Sequence, residues 1–400
     1  MTTLTVIVPA HNEERGLPAT LEALLRQTVA AEEIIVVDDG SSDRTGQVAA
    51  SYGVTVLRPP RNLGSKAKAQ NYALPHCRTD LVLAVDADTV LADDYIEKIK
   101  PAFTDPRVMV AAGCVQSRFE RTWAERGRSI EYLYGFHWNR PIESSAGSPV
   151  VCSGCCSAFR LQPLVEFGGF PERTIVEDMD YTWSVQIAGH RAVYVPDAVA
   201  WAADPEDLTY LRKQNWRWAC GYFQNVRLHL RKMIVRRPML ALWVLAKLWD
   251  MATLPVWLFL AVYTASSGGP LATAFAWIIA WWFASWTLLV LLPLIYASRR
   301  RKIPFRRIAR NYPYSFATKA VDAYYGWKGF ILELVLVPLG LSKGLVVYEK
   351  GRADTPGATP AVPSPNQGGH QGADREGLPL QAGNSPVADA VPPDRPKADV

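Results

Sequence analysis

An uncharged apolar stretch, residues 271–297, most constrains how this chain can fold. It contains no acidic or basic residue, and about 20 consecutive apolar residues are enough to cross the hydrocarbon core of a bilayer. A second apolar stretch, residues 239–264, precedes it, and the short segment 266–270, made of Ser, Gly and Pro, lies between them. The two stretches predict a transmembrane hairpin.

Basic residues flank this hairpin on both sides. They are Arg231, Lys232, Arg236 and Arg237 before it, and Arg299, Arg300, Arg301, Lys302, Arg306 and Arg307 after it. Because Lys and Arg are enriched in the cytoplasmic loops of membrane proteins, we expect a multi-pass membrane protein with both ends of the hairpin in the cytoplasm. The chain opens on an apolar strand rather than a signal-peptide pattern, so we expect a cytoplasmic N-terminal domain too.

A third apolar segment, residues 329–348, contains Glu333, Pro338 and Lys343. It could span the bilayer, re-enter it or lie flat on it, and the sequence leaves these alternatives open. Residues 351–400 are rich in Pro and Gly and contain no aromatic residue, a composition typical of disorder. We therefore predict a membrane region over residues 236–350 and a disordered tail over residues 351–400.

Residues 1–235 alternate between apolar runs and amphipathic stretches. The apolar runs, rich in Val, Ile and Leu, are residues 4–8, 33–38, 54–58, 80–86 and 108–113, and the amphipathic stretches are residues 16–27, 43–52, 65–75 and 92–103. Continuous apolar runs suit strands that are covered on both faces. This rhythm predicts an α/β domain with a mostly parallel sheet, whose ligands bind at the carboxyl ends of the strands.

Acidic residues follow two of the predicted strands. Asp38 and Asp39 end the second strand, where a carboxylate can accept a hydrogen bond from a nucleobase or a ribose. Asp86 and Asp88 end the fourth strand, and oxygen ligands of this kind hold Mg²⁺ when phosphates and water complete its shell. Helix capping and turn formation are the alternative explanations for acids at such positions.

Two further clusters lie later in the predicted domain. Glu177 and Asp178 provide a carboxylate that could take a proton from an attacking hydroxyl, although acids also favour the first turn of a helix. Arg217 could neutralise a leaving diphosphate and Trp218 could stack on a sugar ring, although both residue types are also common at membrane interfaces. Lys66 stands at a predicted helix start that suits a phosphate, but surface lysines are ordinary there.

Taken in order, these motifs resemble glycosyltransferase family 2, in particular the branch that contains the cellulose, chitin, hyaluronan and poly-N-acetylglucosamine synthases. The resemblance covers roughly residues 3–235. It rests on the opening segment Val8–Glu13, Asp38-Asp39, the Lys66-to-Asn71 stretch, Asp86-x-Asp88, the loop Ser153–Arg160, Glu177-Asp178, and Gln214-x-x-Arg217-Trp218. The family's Thr-Glu-Asp motif has Val176 in place of its threonine here.

The resemblance implies a GT-A fold, a nucleotide-sugar donor that is a UDP-sugar, Mg²⁺ or Mn²⁺, and inversion at the anomeric carbon. It implies that Asp178 is the catalytic base, that Asp88 and Asp86 hold the metal, and that Glu177, Gln214 and Trp218 bind the acceptor. The residues that it assigns to the donor are Pro9, Ala10, Glu13, Asp38, Asp39, Lys66, Asn71, Asp86 and Arg217.

The sequence therefore predicts a membrane-bound hexosyl- or N-acetylhexosaminyltransferase acting on a glycan, lipid or protein acceptor. A hairpin of two helices leaves no room for a polysaccharide channel, so we expect a monomer to add one or a few sugars. A processive synthase that works as a homo-oligomer and an inactive, membrane-tethered sugar-binding module are the alternatives. Nucleic acid is not an expected partner, because the net charge is only +5 and no dense basic face stands apart from the apolar segments.

Overall fold

An eight-stranded sheet forms the centre of the N-terminal half in the computed structural model, which describes residues 2–267, 270–301 and 303–344. The strands, in chain order, are β1 (Leu4–Ala10), β2 (Glu33–Asp38), β3 (Thr55–Leu57), β4 (Leu81–Val85), β5 (Val90–Leu91), β6 (Val108–Ser117), β7 (Cys156–Arg160) and β8 (Arg191–Ala202). All five apolar runs that were predicted as strands form strands.

The sheet is mixed, so the predicted mostly parallel arrangement is wrong in its second half. The strand order is β3-β2-β1-β4-β7-β6-β8-β5. The first four strands are parallel, and β6 is parallel to β8, but β7 runs antiparallel to both β4 and β6, and β5 runs antiparallel to β8. Three strands escaped prediction because β5 has two residues, β7 has the sequence CSAFR, and β8 contains Pro196 and Asp197 at an irregularity in its pairing with β6.

Both faces of the sheet are buried, which explains the uninterrupted apolar runs. In β1, Val6 and Val8 pack into one hydrophobic cluster, whereas Ile7 between them packs into a second. All three side chains have no exposed surface. Successive strand residues point to opposite faces, so a strand covered on both sides needs apolar residues at consecutive positions.

Short helices connect the strands. They are α1 (Leu17–Leu25), α2 (Thr45–Ser51), α3 (Lys66–Ala73), α4 (Tyr95–Ile99), α5 (Trp123–Tyr134), α6 (Arg140–Ser145), α7 (Leu161–Glu166) and α8 (Glu177–Ile187). The four predicted amphipathic stretches contain α1 to α4. The last is much shorter than its predicted range, because the chain continues from α4 as a 3-10 turn, Lys100–Thr104, with Pro101 near its start.

Longer helices make up the C-terminal half. They are α9 (Leu208–Arg236), α10 (Pro238–Ser266), α11 (Leu271–Trp286), α12 (Leu292–Arg301) and α13 (Phe305–Phe330). Helix α13 packs against α5 and α9. A Cβ added at Gly127 of α5 would collide with Thr318 and with the backbone of Tyr314 in α13, so the small residue lets the two helices approach closely.

The described part of segment 329–348 continues α13 instead of forming a separate span. Helix α13 passes into a π-helical turn, Ile331–Leu336, in which Glu333 is fully buried. Glu333 accepts a hydrogen bond of 2.9 Å from Gln224 of α9 and lies 3.4 Å from Arg227. Glu333 of this segment is therefore buried against α9.

One helical stretch in the described residues, Phe275–Arg299, is long and apolar enough to cross a membrane by length and composition. It coincides with the predicted second half of the hairpin. The apolar start of α10, Pro238–Leu248, is shorter, and many side chains of the predicted first half, residues 239–264, lie outside the described set, as does the predicted tail, residues 351–400. The described residues thus support one candidate span and do not support the multi-pass prediction.

Candidate active site

The carboxyl ends of β2, β1 and β4 lie side by side. Strand β1 is hydrogen-bonded to both of the others, and Pro9 and Ala10 are opposite Val37 and Asp38 in the pairing of β1 with β2. Residues that follow these strands therefore reach one edge of the sheet, as the sequence predicted. Ligands of open α/β sheets bind at this edge.

The two acids at the carboxyl end of β2 are buried and are held by backbone groups. Asp38 accepts a hydrogen bond of 3.1 Å from the amide of Ser41, and its carboxylate lies 3.5 Å from Arg58. Asp39 accepts one of 2.7 Å from the amide of Leu63. Burial raises the pKa of Asp39, an effect that the hydrogen bond from Leu63 opposes. The strand end and the loop that carries Leu63 are thereby fixed to each other.

Glu13 stands next to the loop that follows β4. Its amide donates a 2.7 Å hydrogen bond to Thr45, and its side chain is buried. A Cβ added at Gly16 would lie 2.8 Å from the Glu13 carboxylate and 3.5 Å from the Asp88 side chain. Gly16 therefore provides the space in which Glu13 and Asp88 come close together.

Lys66 joins the acidic loop after β4 to a second loop. Its ammonium group forms an ion pair with Asp86, donates a hydrogen bond of 3.0 Å to the carbonyl of Gly154, and lies 3.8 Å from Glu177. The Lys66 side chain is only 13% exposed, so it is not the ordinary solvated lysine that the sequence left as an alternative. It connects three predicted site segments at one point.

The carboxylate of Asp178 is held at the start of α8. It accepts hydrogen bonds of 2.8 Å from the amide of Gly154 and of 2.8 Å from the amide of Met179. A Cβ at Gly154 would lie 3.3 Å from the Asp178 Cβ and 3.1 Å from the Lys66 ammonium. Only a residue without a side chain leaves both groups undisturbed, which explains the glycine in this loop.

The neighbouring Glu177 is buried, and burial raises its pKa above the ordinary value, while the charge of Lys66 opposes the rise. The positive charge of Arg217 opposes it as well. Arg217 of α9 therefore lies close enough to act on a carboxyl at the start of α8. The structure brings the predicted base, the acid beside it and the predicted diphosphate-binding arginine into one region.

The other predicted residues of α9 are Gln214 and Trp218. Gln214 is buried, and Trp218 is half-buried beneath the guanidinium of Arg128, whose carbon lies 5.0 Å from the ring centroid. Arg128 comes from α5, about 90 residues earlier, and it was not among the site residues predicted from the sequence. No local motif marks it, since it is one of two arginines in α5.

Asn71 is positioned differently from the other predicted donor residues. Its side-chain amide donates hydrogen bonds of 2.9 Å to the carbonyl of Phe170 and of 2.9 Å to Glu172, and it accepts one of 2.7 Å from the amide of Phe170. Gly169, with a φ of +83°, brings this loop close. The contacts of Asn71 therefore fix the loop that precedes Asp178.

Asp180, two residues after the predicted base, was also missed as an individual contributor. Its fully buried carboxylate accepts hydrogen bonds of 2.8 and 2.6 Å from Arg173 and lies 2.8 Å from the His229 ring of α9. The charge is thus paired inside the protein. This network ties α8, which carries the predicted base, to α9, which carries Arg217.

The donor set after β4 fits a hard divalent cation only in part. Asp86 is 35% exposed, and the ammonium group of Lys66 balances the charge of its carboxylate. The Asp86 carboxylate thus already binds one positively charged group. Within the described residues, no cluster of three or more His, Cys, Asp or Glu could hold a metal. Asp86 and Asp88 therefore form an incomplete set, which suits Mg²⁺ or Mn²⁺ when phosphate and water oxygens supply the remaining ligands.

The sequence profile of the family described as "Glycosyltransferase like family 2" matches residues 2–221. The matched region runs from the start of β1 through the predicted acids, Arg217 and Trp218. The chain belongs to this glycosyltransferase family. The assignment confirms both the resemblance and the enzyme class that the motifs predicted.

Relatives of this family 2 glycosyltransferase include enzymes named for N-acetylglucosamine. An N-acetylglucosaminyltransferase of Sinorhizobium fredii is 33% identical over 244 residues, which is 56% of this chain and 59% of the relative. A poly-beta-1,6-N-acetyl-D-glucosamine synthase of Staphylococcus aureus is 29% identical over 226 residues, 54% of each chain. The matches thus span only between about half and three-fifths of these relatives.

A solved structure shares the fold. The mannosyltransferase of Pyrobaculum calidifontis, solved in complex with GDP-Man and Mn²⁺, aligns with a TM-score of 0.60 and 24% identity over 76% of this chain and 87% of that one. At this identity the likeness shows the fold alone. It confirms the GT-A-like architecture of the glycosyltransferase, with the mixed sheet described above.

Proposed function

We propose that this protein transfers N-acetylglucosamine from a UDP-activated donor to a hydroxyl group of a glycan, lipid or protein acceptor, with inversion at the anomeric carbon. The relatives named N-acetylglucosaminyltransferase and poly-beta-1,6-N-acetyl-D-glucosamine synthase support this choice of sugar. The proposal extends the activities named for these relatives to a chain that matches only part of their length.

The observation that carries the proposal is the position of Lys66. It lies between Asp86, which is proposed to act on the donor, and the loop that holds Asp178, which is proposed to act on the acceptor. Its ammonium group pairs with Asp86 and bonds to the carbonyl of Gly154, whose own amide holds Asp178. The residues proposed to hold the donor diphosphate and the residue proposed to act on the acceptor therefore share one bridging side chain. An enzyme that joins two substrates needs this proximity.

Asp178 acts as the general base in this mechanism. It accepts the proton of the acceptor hydroxyl while that oxygen attacks the anomeric carbon from the face opposite the leaving group. The bond from the anomeric carbon to the diphosphate oxygen breaks, and UDP leaves with the electron pair. The amides of Gly154 and Met179 fix the direction of the carboxylate, so the base is oriented before substrate arrives.

Charge develops on the diphosphate as this bond breaks. Arg217 is placed near Glu177 at the start of α8 and supplies a guanidinium that can form two hydrogen bonds to phosphate oxygens. Asp86 and Asp88 would hold a divalent cation, which supplies additional positive charge at the diphosphate when bound. Lys66 exchanges its bond to Asp86 for a phosphate oxygen when the donor enters.

The uracil base is proposed to bind beside Asp39, at the end of this sheet edge that lies away from Asp86. The backbone and side chains that surround the base there are proposed to be those of Pro9, Ala10, Glu13 and Asp38. Asp39 is fixed by the amide of Leu63, so its carboxylate is oriented to accept a hydrogen bond from the base. On the acceptor side, Glu177, Gln214 and Trp218 bind the incoming sugar, with the indole of Trp218 offering a flat apolar face.

We propose that the stretch Phe275–Arg299 anchors the enzyme to a membrane, with the catalytic half in the cytoplasm. Within residues 271–297, the side-chain hydroxyls are Thr273, Ser285, Thr287 and Tyr296. A glycan crossing a bilayer needs many hydrogen-bond partners, so we expect a monomer to make short products. A homo-oligomer that makes long chains is the alternative outcome.

The test is a donor screen with the full chain in membranes, with Mn²⁺ or Mg²⁺, measuring UDP release and the size of the labelled product. Transfer from UDP-N-acetylglucosamine to short products supports the proposal, and long polymer from a verified monomer contradicts its length prediction. UDP release from a different sugar donor would retain the enzyme class and change the substrate. Binding of sugar without any UDP release would favour the non-catalytic alternative.

A further inference from the structure

Three helices meet at one buried arginine beside the acceptor-binding segment. Arg128 of α5 is 3% exposed, and a charge so deeply enclosed is costly unless it is paired and hydrogen-bonded. Its contacts therefore show which groups the protein holds around it. They involve α5 itself, α9 and α13.

The contacts of Arg128 with α9 fall on two residues of one helical face. Its Nη2 donates a hydrogen bond of 2.7 Å to the side-chain oxygen of Asn215, and its guanidinium carbon lies 5.0 Å from the centroid of the Trp218 ring. Residues three apart lie side by side on a helix. Arg128 thus donates a hydrogen bond to Asn215 while its guanidinium group lies over the Trp218 ring.

The contacts with α5 and α13 balance the charge. Nη1 of Arg128 bonds to Glu131 at 2.5 Å, and Nη2 lies 3.9 Å from Asp322 of α13. Thr318 of α13 donates a hydrogen bond to the other oxygen of Glu131. Helix α13 therefore supplies both a carboxylate near Arg128 and a hydrogen bond that orients Glu131.

We propose that Arg128 is a positioning residue for the acceptor site, and that it holds the Trp218 ring in the orientation that stacks on the acceptor sugar. This inference rests on the proposed role of Trp218. The planar guanidinium can bond sideways to Asn215 while its face covers the indole, which a lysine ammonium cannot do. Arg128 itself touches neither the donor nor the reacting atoms.

The matched control is Arg126, which lies two residues earlier in the same helix. Its guanidinium also covers an aromatic ring, that of Tyr314 in α13 at 5.3 Å, and bonds to the Tyr314 hydroxyl at 3.3 Å and the carbonyl of Glu120 at 3.1 Å. These contacts join α5 to α13 without involving Trp218. Replacing either arginine by lysine weakens a stacked contact between helices. Only Arg128→Lys alters a contact with Trp218, the residue proposed to bind the acceptor.

The experiment compares Arg128→Lys and Arg126→Lys in the detergent-solubilised full chain. We expect Arg128→Lys to raise the KM for the acceptor on the order of tenfold, equivalent to the loss of one stacking contact. The KM for the donor and the rate of UDP release without acceptor should stay near the wild-type values. Arg126→Lys should leave all three unchanged.

A second measurement reports on the ring independently of activity. The chain is labelled with 5-fluorotryptophan, and the resonance that disappears in Trp218→Phe is assigned to Trp218. We expect this resonance to shift in Arg128→Lys but not in Arg126→Lys. If the donor screen shows that the proposed sugar transfer is wrong, this resonance still tests whether Arg128 positions the indole.

Double substitution separates positioning from a general loss of stability. In the Trp218→Phe background, Arg128→Lys should add much less to the acceptor KM than it does in the wild type, because both changes remove the same contact. Additive effects, or an unshifted Trp218 resonance, would overturn the inference. Should Arg128→Lys not fold, Asp322→Asn provides a milder test, with a smaller shift of the same resonance expected and no shift contradicting the inference.

Discussion

The two sides of the candidate site are built in different ways. On the donor side, Asp38, Asp39 and Asp86 stand where strands end, and nearby backbone amides hold the first two. On the acceptor side, the surroundings of Trp218 depend on a side chain 90 residues earlier in the sequence and on a helix about 100 residues later. The strand-end side can be predicted from the local sequence pattern, whereas the helical side is formed by contacts that exist only in the tertiary fold.

This difference should appear in the kinetics. Substitutions of the strand-end acids should weaken binding of the nucleotide. Substitutions of Asp178 or Trp218 on the helical side should lower turnover or acceptor affinity while the nucleotide still binds.

The largest effect is expected for Asp178→Asn, on the helical side. The amide side chain keeps the shape but cannot take the acceptor proton, and removing a positioned base lowers the rate by about 10²–10⁴-fold. We expect this loss in kcat, with UDP affinity near that of the wild type, measured by initial rates and by titration with UDP. If Glu177→Gln gave the large loss and Asp178→Asn a small one, the base would be Glu177 instead.

Asp88→Ala tests the strand-end side. It removes one of the two carboxylates proposed to hold the cation, and we expect metal-dependent UDP affinity to fall by about a hundredfold or more. Asp93→Ala is the control, because Asp93 lies five residues away and its side chain is 51% exposed in an ion pair with Arg26. Undiminished affinity in Asp88→Ala, or full transfer in the presence of a chelator, would contradict the assignment.

Gly154→Ala tests the junction between the two sides. The added methyl group would lie 3.1 Å from the Lys66 ammonium and 3.3 Å from the Asp178 Cβ, so the base or the lysine must move. We expect kcat to fall on the order of ten- to a hundredfold through this displacement. Gly135→Ala is the control, since no heavy atom lies within 4 Å of the position that its methyl group would take. Equal rates for the two variants would argue against the tight junction.

The smallest effect concerns stability rather than catalysis. Asp204 is 1% exposed, and burial raises its pKa to about 7. Because the folded state binds this proton more tightly than the unfolded state, the free energy of unfolding falls as the pH rises from the unfolded to the folded pKa. We expect the thermal midpoint of the wild type to fall between pH values of about 4 and 7, and that of Asp204→Asn to fall less. Parallel pH profiles for the two proteins would contradict the assignment.

The sequence predicted the strand-end side well because the information there is local. An apolar run buried on both faces followed by Asp38-Asp39 or Asp86-x-Asp88 specifies a strand and an acid at its end. Strands β5, β7 and β8 were missed because they are short, rich in small or polar residues, or interrupted by Pro196. Because β7 runs antiparallel to β4 and β6, this part of the predicted mostly parallel sheet is mixed.

The helical side was predicted only as separate motifs. Asp178, Gln214, Arg217 and Trp218 were recognised by their order, but neither Arg128 nor Asp180 could be selected, because their roles depend on contacts across 50 to 90 residues. The bridging role of Lys66 was likewise not visible, since a lysine at a helix start is ordinarily solvated. Long-range pairing of this kind requires the folded structure.

The most direct test of the account is a titration of four variants with UDP in the presence of Mn²⁺, combined with labelled transfer from UDP-N-acetylglucosamine. Asp39→Ala and Asp88→Ala should lose nucleotide affinity. Asp178→Asn and Trp218→Phe should bind UDP as the wild type does and fail in turnover or acceptor use, respectively. If Asp178→Asn or Trp218→Phe lost UDP affinity as fully as Asp88→Ala, or if the two strand-end variants bound UDP normally, the proposed division of the site would be contradicted.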